Sequence, residues 1–243
     1  MYYGGIDFTY LIFFIPALLL TLGAQAAVNS RFAKFNKVPV KKGVTGAQAA
    51  AILLRANGIT DVKIAHISGN LTDNYNPVNK VLSLSDATYN SNSVAAVGVA
   101  AHETGHAIQH HTGYFPLTFR RMLVPVANLG SRLGPVMAIG GAVFASYAGN
   151  AEYTPLCQFI VDMGLLLFAL SVLFYLVTLP VEFNASNRAL KILKGAGVFT
   201  DRSEMEGAKK VLWAAAMTYV ASALSAVASF MRLLLISNRR RRR

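Results

Sequence analysis

His102, Glu103 and His106 are three side chains that could together bind a metal ion and activate water. The run around them, residues 93–111, is apolar, rich in small residues and free of proline, which predicts a packed helix. Residues four apart lie on one face of a helix, so the two imidazoles can meet one ion. Glu103 lies about 100° round the helix from His102. There it can reach a water held by the ion without binding the ion itself, so hydrolysis is the expected chemistry.

This arrangement is the H-E-x-x-H motif of zinc metalloproteases, with two histidine ligands and a glutamate as general base. The alternative is a structural role, in which hydrogen bonds satisfy two helix histidines and a glutamate. Burying three such side chains without a metal ion or a partner is costly, which favours the metal site. A catalytic zinc has three protein ligands and an open position for water, so a third ligand must come from elsewhere.

Three residues are candidates for this ligand. His110 continues the four-residue spacing, but three ligands along one helix diverge from a single ion, so we expect His110 to play a supporting role. His66 is expected on the surface of a strand. Glu182 follows Pro180 at the predicted end of a membrane span, on the side that holds the motif helix. The alternative for Glu182 is a charge stabilised by the dipole at a helix N-terminus.

The whole chain has the composition of a membrane protein. Of its 243 residues, 54% are hydrophobic and 14% are charged, and the mean hydropathy is +0.43. The hydrophobic fraction and the mean hydropathy lie above those of soluble proteins, and the charged fraction lies below theirs. The net charge of +12 predicts attraction to anionic lipid headgroups. The sequence lacks a basic groove interleaved with stacking aromatic residues, so nothing in it suggests nucleic-acid binding. Cys157 is the single cysteine, which excludes an intramolecular disulfide.

Four apolar segments are long enough to cross a bilayer. They are predicted at residues 8–28, 133–148 (within an apolar run that begins at 122), 156–179 and 211–235. A cleaved signal peptide is the alternative for the first segment, because Ala24 and Ala26 resemble a cleavage site. No Lys or Arg precedes that segment, however, whereas a signal peptide begins with positive charge.

Basic residues predict the orientation of the spans. One group, residues 31–42, follows the first span directly, and a second lies at residues 188–210. By the positive-inside rule both face the cytoplasm, which places the N-terminus outside. The loop at 150–155 contains Glu152 and no basic residue, as expected of an outside loop. Four spans would also place the C-terminal arginines outside, which conflicts with the same rule.

Local signals predict a small domain around the motif helix. A strand is expected at 62–67, and a hairpin at 71–75 and 80–84 around the turn 76–79. A helix at 45–55 has Thr45 as its N-cap, and Ser91, Asn92 or Ser93 caps the motif helix. A sheet edge beside the metal could bind an extended peptide as an added strand, although plain scaffolding is the alternative.

The predicted fold is therefore mainly α: a multi-pass membrane protein with a zincin-like α+β catalytic domain, made of a small antiparallel sheet and the motif helix. The domains expected are a first transmembrane helix at 1–28, a cytoplasmic catalytic domain at 29–121, the second and third transmembrane segments at 122–181, a cytoplasmic helix with the third ligand at 182–210, and the fourth transmembrane segment with an Arg-rich tail at 211–243.

Six segments carry a family resemblance: LTD at 71–73, YNSNS at 89–93, GVAAHE at 98–103, GHAIQH at 105–110, LVPVAN at 123–128 and LPVEFNAS at 179–186. In these segments the chain resembles the YugP-type membrane zinc metallopeptidases, and more distantly the HtpX-type and CAAX prenyl proteases. The resemblance covers nearly the whole chain.

This resemblance implies that His102, His106 and Glu182 bind one zinc ion per chain and that Glu103 is the general base. In the distant families the motif of the third ligand reads E-x-x-x-D, and Ser186 stands here where that Asp would be. Asn184 or Asn187 is then the alternative for orienting a histidine.

The function expected is hydrolysis of peptides or membrane proteins at the cytoplasmic face of the cell membrane. Zinc lowers the pKa of its water, and Glu103 takes the proton and later returns it to the leaving amine. Tyr75, Tyr89 and Asn90 are candidates for donors to the oxyanion only because they lie near the motif in sequence, and a structural role is the favoured alternative for each. Two alternatives remain: a catalytically idle, zinc-stabilised membrane scaffold or adaptor, which has no need of Glu103, and a transporter, which would usually show an internal repeat.

Overall fold

The protein is represented by a computed structural model that describes residues 2–3, 6–148 and 154–241. Residues 150–153 of the predicted outer loop, with Glu152, lie outside this range, as do the last two arginines of the tail. The helices and strands are β1 Tyr2–Tyr3, β2 Ile6–Asp7, α1 Phe8–Phe35, α2 Gly46–Ala56, β3 Lys63–Ile67, β4 Asn74–Asn76, β5 Val81–Ser85, α3 Val94–His111, α4 Phe115–Ala148, α5 Thr154–Gly195 and α6 Arg202–Arg241.

Four of these helices, α1, α4, α5 and α6, are long and apolar enough to cross a membrane in the part of the chain that is described. At most 28% of the most apolar stretch of each helix is buried. Exposed apolar surface of that extent is stable in lipid and not in water. The prediction of a mainly α-helical, multi-pass membrane protein is confirmed.

The chain divides into two compact units. The span unit consists of residues 1–22, 119–178 and 219–243, and the motif unit consists of residues 23–118 and 179–218. Each of the four long helices contributes residues to both units. The metal-binding motif and every candidate third ligand lie in the motif unit.

Glycines allow α4 and α5 to pack closely in the span unit. A Cβ at Gly134 would lie 2.8 Å from the Phe168 Cβ, and a Cβ at Gly141 would lie 3.0 Å from the Val161 Cγ2. Gly140 faces open space instead. Gly134 and Gly141 therefore serve close helix packing, as is usual for small residues in lipid.

In the motif unit, α3 is the central element and most of its residues are buried. Its Ala101 packs in one apolar cluster with Leu53 of α2 and Leu193 of α5. Its Ala100 packs in a second cluster with Leu82 and other residues of β5 and α2. Because α3 is built largely of alanine, glycine and valine, neighbouring elements can approach its backbone closely.

The caps predicted for the two helices of this unit are confirmed. Thr45 forms a capping box with Gln48 at the start of α2. Ser93 caps α3, and its Oγ accepts a hydrogen bond of 3.1 Å from the Ala96 amide. These contacts fix where α3 begins and hence which side chains share a face.

The sheet of the motif unit has the order β3-β5-β4. The β4–β5 pair is the predicted antiparallel hairpin, with Tyr75 opposite Leu82. The β3–β5 pair is parallel, with Ala65 opposite Ser83, so the sheet is mixed where a purely antiparallel one was expected. The reason is that β5 lies between the other two strands. After β3 ends at Ile67 the chain passes the position of β5 and forms β4 at the far edge of the sheet. The hairpin then reverses the chain, so that β5 runs between β4 and β3 in the same direction as β3.

Candidate metal centre

The side chains of His102, His106 and Glu182 meet inside the motif unit. Glu182 Oε2 lies 3.3 Å from His102 Nε2 and 3.5 Å from His106 Nε2. The ligand atoms of all three residues lie within 4.8 Å of one another. Two turns of α3 and one position on α5 thus present three donor atoms to a common point.

These three residues fit a zinc ion. Zinc bonds of about 2.0–2.2 Å in a tetrahedral site place the ligand atoms about 3.3–3.6 Å apart. The two distances from Glu182 Oε2, 3.3 and 3.5 Å, fall in this range. Two imidazoles and one carboxylate are also the donors of known catalytic zinc sites, which leave the fourth position for water.

Each histidine is oriented through its Nδ1 atom. His102 Nδ1 lies 3.1 Å from Ser186 Oγ, and His106 Nδ1 lies 3.0 Å from Gln109 Oε1. An amide oxygen can only accept, so Gln109 selects the tautomer of His106 that carries its proton on Nδ1. The Nε2 atom then carries the lone pair with which His106 could bind a metal ion.

Gln109 was not predicted from the sequence, although it connects the two halves of the site. Its side chain is fully buried. Its Nε2 donates to the Val181 carbonyl at 2.8 Å and to Asn184 Oδ1 at 3.0 Å. Since Val181 immediately precedes Glu182, the residue that orients one candidate ligand, His106, also holds the segment that carries another, Glu182. Its position three residues after His106, on the adjoining helix face, is the only signal that the sequence offers.

Ser186, Asn184 and Asn187 were the three residues considered for orienting a histidine, and each lies in a different position relative to the site. Ser186 contacts His102 directly, while Asn184 acts one step away through Gln109. Arg188 Nε donates to Asn184 Oδ1 at 2.8 Å, which fixes that side chain in turn. Asn187, by contrast, is exposed.

Glu182 lies in the middle of α5 and only 2% of it is exposed. The alternative interpretation, a charge at a helix N-terminus, is wrong because α5 begins at Thr154 and continues through Pro180. A carboxylate buried within a helix is costly unless positive charge or strong donors compensate it. A position beside two imidazoles, with a divalent ion bound among them, would satisfy that requirement.

Gly105 permits this meeting of α3 and α5. A Cβ at this position would lie 2.6 Å from the Ala185 carbonyl oxygen, a distance that real side chains do not reach. The lack of a side chain at Gly105 therefore lets the backbone of α5 lie directly against α3, between the two histidine turns.

Glu103 lies on α3 beside both histidines, and 9% of it is exposed. Burial raises the pKa of its carboxyl, while the nearby imidazoles of His102 and His106 oppose that change. A raised pKa makes the carboxylate a stronger base.

His110 and His66 lie outside the three-residue cluster. His110 Nδ1 lies 2.9 Å from the hydroxyl of Tyr75 on the edge strand β4. His66 is exposed on β3, and its Nε2 lies 2.7 Å from Asp86 Oδ1. Both arrangements agree with the supporting and surface positions expected for them.

The structure combines four helices that are long and apolar enough to cross a membrane with a group of two histidines and a glutamate that could hold a metal ion, within the part of the chain that is described. Comparison with known proteins gives a class with both features. The family described as "Putative neutral zinc metallopeptidase" matches residues 10–238, and this chain belongs to that family. A protein of Bacillus subtilis (strain 168) named "Putative membrane protease YugP" is 40% identical over 222 residues, which cover 91% of this chain and 93% of that protein. No solved structure gives a significant match. The resemblance to the YugP-type peptidases is confirmed.

Proposed function

We propose that this protein is a zinc-dependent endopeptidase of the cell membrane and that it hydrolyses peptide bonds. The observation that carries the proposal is the convergence of His102, His106 and Glu182 on one point, with Glu103 beside them. These three residues would hold one zinc ion per chain. Membership of a zinc metallopeptidase family and the name of the Bacillus relative support this class of activity.

A bound zinc ion would lower the pKa of a water molecule and polarise a substrate carbonyl. The carboxylate of Glu103 accepts a proton from the attacking water and delivers it to the leaving nitrogen. Burial raises the pKa of Glu103, which strengthens it as the acceptor in the first transfer. Ser186 and Gln109 keep the imidazoles in the orientation that the site needs.

The substrates proposed are peptides or membrane proteins, and the face proposed for the site is the cytoplasmic one. The motif unit contains the two basic groups at 31–42 and 188–210, which by the positive-inside rule face the cytoplasm. In the same unit β4 is an edge strand packed beside α3. An extended peptide could add to that edge.

The first test is Glu103→Gln, which keeps the shape of the side chain and removes the base. We expect zinc content to stay at the wild-type level and peptide cleavage to fall by about 10²-fold or more. Glu206→Gln, at an exposed glutamate of α6, is the matched control and should cleave normally. Cleavage by Glu103→Gln at the wild-type rate would exclude Glu103 as the general base.

The second test concerns the third ligand. Glu182→Ala should lose most of the bound zinc, measured as metal content of the purified protein, together with its activity. Full retention of zinc would remove Glu182 from the ligand set. A wild-type protein that binds zinc tightly and cleaves no peptide would instead favour the scaffold alternative.

A further inference from the structure

The span unit contains a cavity of about 490 Å³ that the proposed peptidase chemistry does not use. Residues from α1, α4, α5 and α6 line it, and all of them belong to the span unit. Most of the wall is apolar, with Phe13, Leu18, Ile139 and Phe168 among the largest side chains. Its size is within the range of sites that hold small-molecule ligands.

One charged side chain, Arg232 of α6, lines this cavity, and no lining residue is acidic. Its Nε atom is buried, and a guanidinium keeps its positive charge at every physiological pH. Hydroxyl groups also line the wall. Ser229 lies three residues before Arg232 on the same helix face, and Thr21 Oγ1 and Ser225 Oγ approach to 3.5 Å.

An arginine within a membrane helix is costly, so its presence there usually serves a function. The planar fork of a guanidinium matches the oxygens of a phosphate or a carboxylate and binds them in a bidentate manner. A positive group at one position of an otherwise apolar cavity therefore fits a ligand with an anionic head and an apolar chain.

The depth of Arg232 agrees with a membrane lipid as that ligand. Arg232 lies seven residues before Arg239, where the basic run at the end of α6 begins. Seven residues correspond to about 10 Å along a helix axis, and a long arginine side chain can extend toward the interface. The guanidinium is then within reach of the phosphate layer, while the cavity walls adjoin the acyl chains.

We propose that this cavity is a binding site for an anionic phospholipid, with the phosphate at Arg232 and an acyl chain along the apolar wall. The site does not depend on the peptidase chemistry of the motif unit. It predicts that the protein distinguishes anionic from zwitterionic lipids that have identical acyl chains.

The test uses the full chain purified in detergent and native mass spectrometry with an equimolar mixture of phosphatidylglycerol and phosphatidylcholine of the same acyl composition. We expect the wild type to favour phosphatidylglycerol about tenfold, because the phosphate of either lipid can accept from Arg232 but the choline cation of phosphatidylcholine cancels the attraction of its headgroup to the guanidinium. Arg232→Gln should abolish this preference. Equal binding of the two lipids by the wild type would overturn the proposal.

Arg132→Gln is the matched control, because Arg132 is an exposed arginine of α4 in the same unit and its loss changes the net charge equally. This variant should keep the preference. If both variants lose it to the same extent, the lipid responds to overall surface charge and the proposed site is wrong.

Two further variants decide the question even if Arg232→Gln does not fold. Ala17→Phe fills the cavity from its α1 side without a change in charge, and it should reduce bound phosphatidylglycerol severalfold. Arg232→Lys keeps the charge and should retain part of the preference. Unchanged lipid binding in Ala17→Phe would overturn the proposal. Oleate added to the wild type gives a second test: if it displaces all bound lipid and the protein shows no preference between the two phospholipids, the proposal is also wrong.

Discussion

Ser186 shows how a single residue can adjust the proposed metal centre. In the HtpX-type and CAAX families an Asp is expected at this position, and here a hydroxyl contacts His102 Nδ1 at 3.1 Å. A hydroxyl has no negative charge, so it orients the imidazole without the electrostatic attraction that a carboxylate would add. The affinity of the site for zinc should therefore depend measurably on this one contact.

We predict that Ser186→Ala lowers zinc affinity by about 10- to 100-fold, the usual effect of removing a group that orients a ligand. Chelator competition measures the affinity directly. The control is Asn187→Ala, because Asn187 is the exposed neighbour on the same helix, and it should bind zinc as the wild type does. Equal affinities in all three proteins would show that Ser186 does not support His102.

Single residues also show which parts of the site a sequence can predict. His102, Glu103 and His106 lie on one helix, where spacing alone determines the shared face. Gln109 could not be predicted, because its role depends on how its amide is turned and on the distant Val181 carbonyl that it contacts. Glu182 was a candidate from spacing, but only the family resemblance assigned it as a ligand.

Among the elements, the contact of α3 with α5 matters most, since it brings Glu182 to the histidines. The two helices approach through Gly105 and the backbone of Ala185. Two other small residues, Gly98 of α3 and Ala208 of α6, allow a similarly close contact between their helices. A Cβ added at Gly98 would lie 3.2 Å from the Ala208 Cβ. Helices with small residues at the contact pack with short interaxial distances.

We predict that Gly105→Ala forces α5 away from α3, because its methyl group would lie 2.6 Å from the Ala185 carbonyl oxygen. Overpacking of this kind costs about 1–3 kcal/mol, and the displaced Glu182 should bind zinc more weakly. Thermal unfolding and zinc affinity measure the two effects. At Gly23 of α1 nothing lies within 4 Å of an added Cβ, so Gly23→Ala should show neither.

The elements that local signals specify were predicted well, while those that depend on distant pairing were not. The caps Thr45 and Ser93 and the turn before β5 determined α2, α3 and the hairpin. The parallel pairing of β3 with β5 was missed because nothing within either strand specifies its neighbour. Similarly, α1 continues to Phe35 and α4 begins at Phe115, because hydropathy detects only the apolar part of a longer helix.

For the whole molecule, charge is the property that predicts orientation. The net charge is +12, and the motif unit holds the two basic groups at 31–42 and 188–210. Four helices of the described residues are long and apolar enough to cross a membrane, but apolar helices alone do not reveal which end faces the cytoplasm. The proposed cytoplasmic position of the metal centre therefore depends on the charge rule.

We predict that a cysteine introduced by Lys37→Cys is protected in intact cells and becomes reactive to a membrane-impermeant maleimide in inverted vesicles. The background is Cys157→Ser, which removes the one native cysteine. Glu152→Cys, in the predicted outer loop, should show the opposite pattern. Labelling of Lys37→Cys in intact cells would place the metal centre on the outer side.

The division of the proposed ligands between α3 and α5 also has a consequence for biosynthesis. A ribosome completes the motif helix before it has made α4 and α5, so the nascent chain carries His102, Glu103 and His106 for some time without Glu182. A chain at that stage has only two of the three proposed ligands. Hydrolytic competence would then arise only once a third hydrophobic segment has been translated, and unfinished chains would pose no danger to the proteins around them.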